Sequence, residues 1–259
     1  MKNIARLFAA LTFAASLAAQ TPTTDPQAFD RILVPLLSAP VNGAFGSQFR
    51  TELTLWNRST EQPVTVWGLQ RFCPVELCFV DPNQPLHLEP QSWVMPADIV
   101  NNGTPARFIY VPKGESGRLA ANLRAFDVSR NATNFGTELR VVRERDFSTR
   151  IVLPGVPLGS QFRNTLRVYA NEPVTVQVSF EGPEIIGSPT ILPPQPEFVT
   201  LAASRNVFEP AYGVLSTFQG YGAPVAVIVE PVGANVPVWA FVSVTNNETQ
   251  HITTISPQP

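Results

Sequence analysis

Apolar and polar residues alternate in short runs along most of this chain. Val174, Val176, Val178 and Phe180 alternate with Thr175, Gln177 and Ser179, the period-two pattern of a strand with one buried face. Residues 49–56 behave likewise, with Leu53 and Leu55 facing one way and Thr54 the other. The same reading predicts strands over 32–37, 64–69, 86–88, 92–95, 107–111, 119–128 and 137–142, then over 225–229, 236–245 and 252–256. Residues 57–62, Asp81-Pro82-Asn83, Asn101-Asn102-Gly103 and Gly182-Pro183 read as turns. No stretch carries the period of an amphipathic helix. Strands spaced about every ten residues, with Gly, Pro and Asn between them, predict an all-β chain of antiparallel Ig-like sandwiches.

The pattern occurs twice. Gly46-Ser47-Gln48-Phe49-Arg50 returns unchanged as Gly159-Ser160-Gln161-Phe162-Arg163. Upstream, Arg31-Ile32-Leu33-Val34-Pro35 answers Arg150-Ile151-Val152-Leu153-Pro154. Downstream, Leu53 and Leu55 answer Leu166 and Val168, and Pro63-Val64-Thr65-Val66 answers Pro173-Val174-Thr175-Val176. Leu88-Glu89-Pro90-Gln91 aligns with Leu192-Pro193-Pro194-Gln195, which sets His87 against Ile191. The unit is about 110 residues, the size of one sandwich. Residues 31–143 and 150–259 therefore read as two tandem domains from an internal duplication, with a flexible leader at 20–30 and a charged linker at 144–149.

A segment of the form F-R-T-x-L-x-L-x-N (Phe49 to Asn57) is followed by Pro63 to Val66, by Leu88 to Gln91 and, at the end of the second copy, by Asn247-Glu248-Thr249. This set resembles secreted bacterial proteins built of paired Ig-like repeats. The resemblance covers residues 31–257 and implies a fold and an exported location, with no activity to carry over. Two-domain periplasmic pilus chaperones are similar in size and layout, but their basic anchoring pair and donor strand have no counterpart here.

Composition narrows the choice. Apolar residues make up 44% of the 259, and 26 prolines oppose helix. The net charge of -2, from 18 basic and 20 acidic residues, lacks the basic footprint of a nucleic-acid binder. Lys2 and Arg6 precede an apolar run from Leu7 to Leu17, and Ser16-Leu17-Ala18 has the form of a cleavage site. Residues 1–19 thus read as a secretory signal peptide, which predicts a secreted or periplasmic protein without a membrane span after cleavage. Cys73 and Cys78 are then expected to form a structural disulfide. So small a loop contributes about 2 kcal/mol at most.

Catalytic signatures are missing. Two histidines, His87 and His251, lie where the other copy is apolar, and read as surface or edge residues. No nucleophile elbow, zinc-helix motif or phosphate loop occurs, and no cofactor is expected. Arg140, Arg143 and Arg145 alternate with Glu138, Glu144 and Asp146, as at a solvated strand end or an interdomain salt-bridge set. Trp56, Trp67 and Trp239 are expected in the core or between sheets; Trp93 is unassigned. Asn57, Asn102, Asn131 and Asn247 occur in N-x-S/T form and read as turn residues. The copies differ most where the second gains a Gly-rich loop carrying Tyr212, Phe218 and Tyr221. These rings are the candidate ligand platform. The expected function is that of an exported, non-enzymatic protein presenting two Ig-like modules to a protein or envelope partner. A carbohydrate-binding module using the aromatic loop is the alternative, ahead of a chaperone-like protein or a hydrolase.

Overall fold

Antiparallel pairing accounts for every strand among the described residues. The structure is a computed structural model that describes residues 28–36, 40–68, 85–96, 106–130, 136–170, 172–182, 196–201, 209–211, 224–233 and 235–257. The first half supplies β1 (Phe29–Val34), β2 (Val41–Asn42), β3 (Gln48–Asn57), β4 (Val64–Val66), β5 (Leu86–Leu88), β6 (Trp93–Val94), β7 (Arg107–Pro112), β8 (Leu119–Asp127), β9 (Thr137–Leu139) and β10 (Val142–Arg143). A single-turn helix, α1 (Lys113–Ser116), separates β7 from β8. The second half supplies β11 (Ile151–Val156), β12 (Phe162–Ala170), β13 (Val174–Glu181), β14 (Glu197–Leu201), β15 (Glu209–Ala211), β16 (Val225–Pro231), β17 (Val238–Asn246) and β18 (Ile252–Ile255).

Each half is layered like a β-sandwich. In the first, β10-β1-β7 forms one sheet, and the Trp67–Tyr110 bridge links β7 to the β4–β5 pair. Opposite lies β2-β3-β8-β9, with β6 also on β3. Ile32, Val34, Ile109 and Val66 of one layer meet Leu53, Leu55 and Leu123 of the other in one buried cluster. In the second half β11-β16-β13-β14 faces β15-β12-β17-β18. Leu153, Val176, Val178 and Val227 pack there against Leu166, Val168, Val242 and Val244.

The registers of the two halves correspond. Leu53 pairs with Leu123 as Leu166 pairs with Val242, and Asn57 pairs with Leu119 as Ala170 pairs with Val238. Leu33 opposes Phe108 as Val152 opposes Ile228. Val64 opposes Leu88 as Val174 opposes Leu201. By register, therefore, Leu201 takes the place of Leu88 and Thr200 the place of His87; residues 191–195, aligned with them by sequence, lie outside the described residues. The Thr65 hydroxyl lies 3.4 Å from His87 Nδ1, and the Thr175 and Thr200 hydroxyls lie 3.1 Å apart at the matching position.

The structure departs from the sequence reading at several places. The first strand starts at Phe29, inside the stretch read as leader, because Asp30 is held there by the Arg143 guanidinium at 2.9 Å. The run read as one strand over 137–142 divides: β9 stays on β8 while β10 crosses to β1. Glu144–Asp146 is a 3-10 turn rather than an extended linker, and Phe147 behind it is buried against Phe108, ring centroids 6.2 Å apart. The arginine cluster serves two ends. Arg143 and Glu144 bind Asp30 and Arg31 of the first half, while Arg140 donates to the Pro257 carbonyl at 3.2 Å. Residues 1–27, Cys73, Cys78, Tyr212, Phe218 and Tyr221 lie outside the described residues, so the leader segment, the disulfide and the aromatic loop stay expectations.

The halves meet through aromatic rings. β17 is buried on both faces: Val238, Ala240 and Val242 point into the second core, and Trp239 and Phe241 join the first. Tyr169 of β12 joins them, with ring centroids 5.8 Å from Trp239 and 6.3 Å from Phe241. Burial pushes the Tyr169 phenol well above its ordinary pKa, with Arg167 pulling weakly the other way. Its hydroxyl donates to the Pro35 carbonyl just beyond β1. Alongside, the Thr254 hydroxyl donates to the Glu138 carbonyl at 3.2 Å, and the Arg163 guanidinium lies over the Phe45 ring at 5.6 Å. Desolvation lowers the Arg163 pKa, and its N–H groups are met by Asn247 Oδ1 and Gln250 Oε1 at 2.9 and 3.1 Å.

Candidate functional site

Leu53 and Leu55 point into the core, so the strand alternation that buries them turns Thr54 and Trp56 outward. Trp56 was expected inside and is 47% exposed. The correction lies in phase: Trp56 is odd by one from the leucines, and the period-two reading itself puts it with Thr54. Trp93 stands directly across from it on β6 and is 65% exposed. On the other side Trp56 opposes Ala120 of β8, whose small side chain leaves the indole uncovered. Met95 lies just beyond β6 and is also exposed.

The chain reaches this arrangement through a buried asparagine. Asn57 ends β3 and is wholly inaccessible. Its Nδ2 donates to the carbonyls of Gln62, Leu88 and Glu89 at 2.8, 3.0 and 3.1 Å, and its Oδ1 accepts from the Ser59 amide at 2.9 Å. One side chain thereby ties the 58–62 turn to the end of β5, with both its amide nitrogen and its oxygen hydrogen-bonded. It also rules Asn57 out as a glycan acceptor in the folded chain. The Ser92 amide and hydroxyl both donate to the Glu89 carbonyl, at 3.1 and 2.7 Å, and Gln91 takes φ of 54°. That tight turn sets Trp93 beside Trp56, and the Asn57 amide bond to the Ser92 carbonyl at 3.0 Å closes it.

The surface so built is flat and apolar. Two indoles occupy adjacent strands, and Thr54 opposite Asn122 forms the next row. Toward the start of β3 the ionisable side chains Glu52 and Arg124 stand two rows away, about 13 Å along the strand, and past its end the exposed Arg58 follows beside Arg118. The rings can stack on a planar or aliphatic partner and donate through their N–H groups.

The other sequence candidates do not gather into a site. His87 and His251 are exposed and belong to different halves. Among the described residues no three His, Cys, Asp or Glu side chains stand close enough to hold a metal ion. No helix among the described residues is long and apolar enough to cross a membrane.

A second feature lies at the junction of the halves. A cleft of about 480 Å³ is bordered by Val152 and Pro154 of β11, by Trp239, and by Arg140 and Arg150. β11 bulges between Leu153 and Val156, where Gly155 takes φ of 75°, and its outer edge pairs with no strand among the described residues. Proline and a bulge at a sheet edge oppose the addition of another strand. Contact here must therefore go through side chains.

No protein-family model matches this chain, and the comparisons with curated proteins and with solved structures found no match.

Proposed function

We propose that this chain is a non-enzymatic interaction protein, exported from its cell, whose two Ig-like sandwiches arose by internal duplication and whose contact surface is the Trp56–Trp93 face. The corresponding pairing registers of the two halves support the duplication, together with the repeated Gly-Ser-Gln-Phe-Arg. The apolar N-terminal run supports export. One observation carries the assignment of the surface. Trp56 holds, by register, the position of Tyr169, and Tyr169 is 2% exposed because another sandwich covers it, whereas Trp56 is open. Exposed large rings on a flat face mark a docking surface more often than a solvated one. The partner is a protein in this reading, and no cofactor is called for.

A second reading draws on the same pair. Two indoles on neighbouring strands suit the faces of sugar rings, as would Tyr212, Phe218 and Tyr221 on the second half. The two readings separate in one experiment. A photo-reactive phenylalanine analogue at position 56 is irradiated in the expressing cell, with position 198 as an exposed control. Protein adducts formed from 56 and not from 198 support the protein partner. No protein adduct, together with polysaccharide retardation that Trp56→Ser/Trp93→Ser abolishes, replaces it with the sugar reading.

A further inference from the structure

The contact between the halves is a template for a contact between molecules. Tyr169 reaches from the outer face of β12 to the carbonyl of Pro35, and Leu33 and Phe108 lie in the same buried cluster as Tyr169, Trp239 and Phe241. Each participant has an equivalent in the other half. By register Trp56 stands for Tyr169 and Val152 for Leu33, and by sequence Pro154 stands for Pro35. Within one chain these equivalents are far from forming the same contact. Trp56 is open on the first half, and Val152, 39% exposed, borders the junction cleft with Pro154 on the second. Leu33, by contrast, is 1% exposed. The chain thus makes the contact once internally and leaves Trp56 and Val152 open at the two equivalent positions, whereas Ile228, which stands for Phe108, is 2% exposed and Ala120 and Asn122 stand for Trp239 and Phe241.

We infer that this protein associates with a second copy of itself, head to tail, by setting Trp56 and Trp93 of one molecule into the Val152–Pro154 cleft of the next. The inference rests on the interaction reading above and names the partner. The two surfaces are different, so the contact is heterologous, and repetition yields rings or open filaments rather than a closed two-fold dimer. The cleft has the chemistry to receive an indole. Pro154 follows Leu153 as Pro35 follows Val34, and Arg140 and Arg150 border the cleft, where Arg150 pairs with Glu230 at 2.6 Å and Arg140 donates to the Pro257 carbonyl at 3.2 Å. Both sides are rigid strand surfaces, which limits the ordering cost of association.

The test uses the full chain, purified with its own N-terminus, and two single-face variants. Trp56→Ser/Trp93→Ser removes the inserting side; Val152→Asp charges the receiving side, with Val152→Lys as its counterpart of opposite sign. Sedimentation velocity over a concentration series should show the parent mass rising with concentration. Each variant should associate at least about tenfold more weakly, as expected when a central anchor is lost. A mixture of the two variants should form one-to-one pairs that grow no further, because each supplies the side the other lacks. Unchanged thermal midpoints keep loss of folding out of the comparison. A parent chain that stays monomeric at every concentration overturns the inference, as does a Val152→Asp chain that associates like the parent. Failure here leaves the wider reading intact if position 56 still cross-links to a different protein in the cell; failure of both removes the protein-partner reading as well.

Discussion

The Tyr169 hydroxyl donates to the Pro35 carbonyl oxygen at 2.5 Å, a hydrogen bond between residues 134 positions apart that joins the two sandwiches at a buried point. Backbone carbonyls just past a strand end have no ladder partner, so a buried one needs a donor from elsewhere. Here the donor comes from the other half of the chain.

This bond makes the junction sensitive to alkali. Burial raises the folded-state phenol pKa above its unfolded value near 10. The stabilisation is fully present below about pH 10 and is lost as pH climbs from there toward the folded pKa, since only the unfolded chain then releases the proton. Denaturant melts from pH 8 to 11.5 should show parent stability falling at up to about 1.4 kcal/mol per pH unit above pH 10. Tyr169→Phe should cost about 1–3 kcal/mol at neutral pH and flatten that slope. An equally steep slope in the variant would place the titration elsewhere.

Asn57 predicts a local cost in the first half. Asn57→Ala leaves the Gln62, Leu88 and Glu89 carbonyls and the Ser59 amide without the partner they now share. Destabilisation of about 2–4 kcal/mol is expected from chemical melts. The second half carries Ala170 at the same register, whose methyl group can form no such tie. A loss below about 0.5 kcal/mol would mean that water replaces the asparagine at no cost.

Trp239 belongs by chain to the second half and by packing to the first. Trp239→Ala should cost about 3–5 kcal/mol, the usual range for deleting a large buried ring. Its distinguishing readout is hydrogen exchange. Amides of β1 and β7, in the first half, should lose protection along with those of β12 and β17. Changes confined to the second half would contradict shared packing across the junction.

Iodide quenching checks the open face. Trp239 is 2% exposed against 47% for Trp56 and 65% for Trp93. In dilute solution Trp56→Ser/Trp93→Ser should remove most of the iodide-accessible tryptophan emission while leaving the thermal midpoint within a degree or two. If the double variant stays as quenchable as the parent, the two rings are not the exposed ones.

The strands of this protein could be read from residue order because burial of one sheet face imposes a period of two, and a side chain cannot change face without changing register. That constraint located β3 and β13, and the succession of short strands gave the all-β class. It also held the phase of Trp56, which lost out to the general tendency of tryptophan to be buried. The partner of that ring was beyond sequence. Trp56 and Trp93 are 37 residues apart, and their adjacency depends on the Asn57 hydrogen bonds and the Glu89–Ser92 turn. Likewise, β17 reads as one apolar run, and nothing local distinguishes the side chains that fill its own sandwich from those that fill its neighbour. The sequence by itself determined local conformation and the matching of short segments between its halves, since both follow from short-range periodicity and residue identity. Only the tertiary structure decided which apolar faces are covered and which stay open, because coverage depends on surfaces brought together from distant parts of the chain.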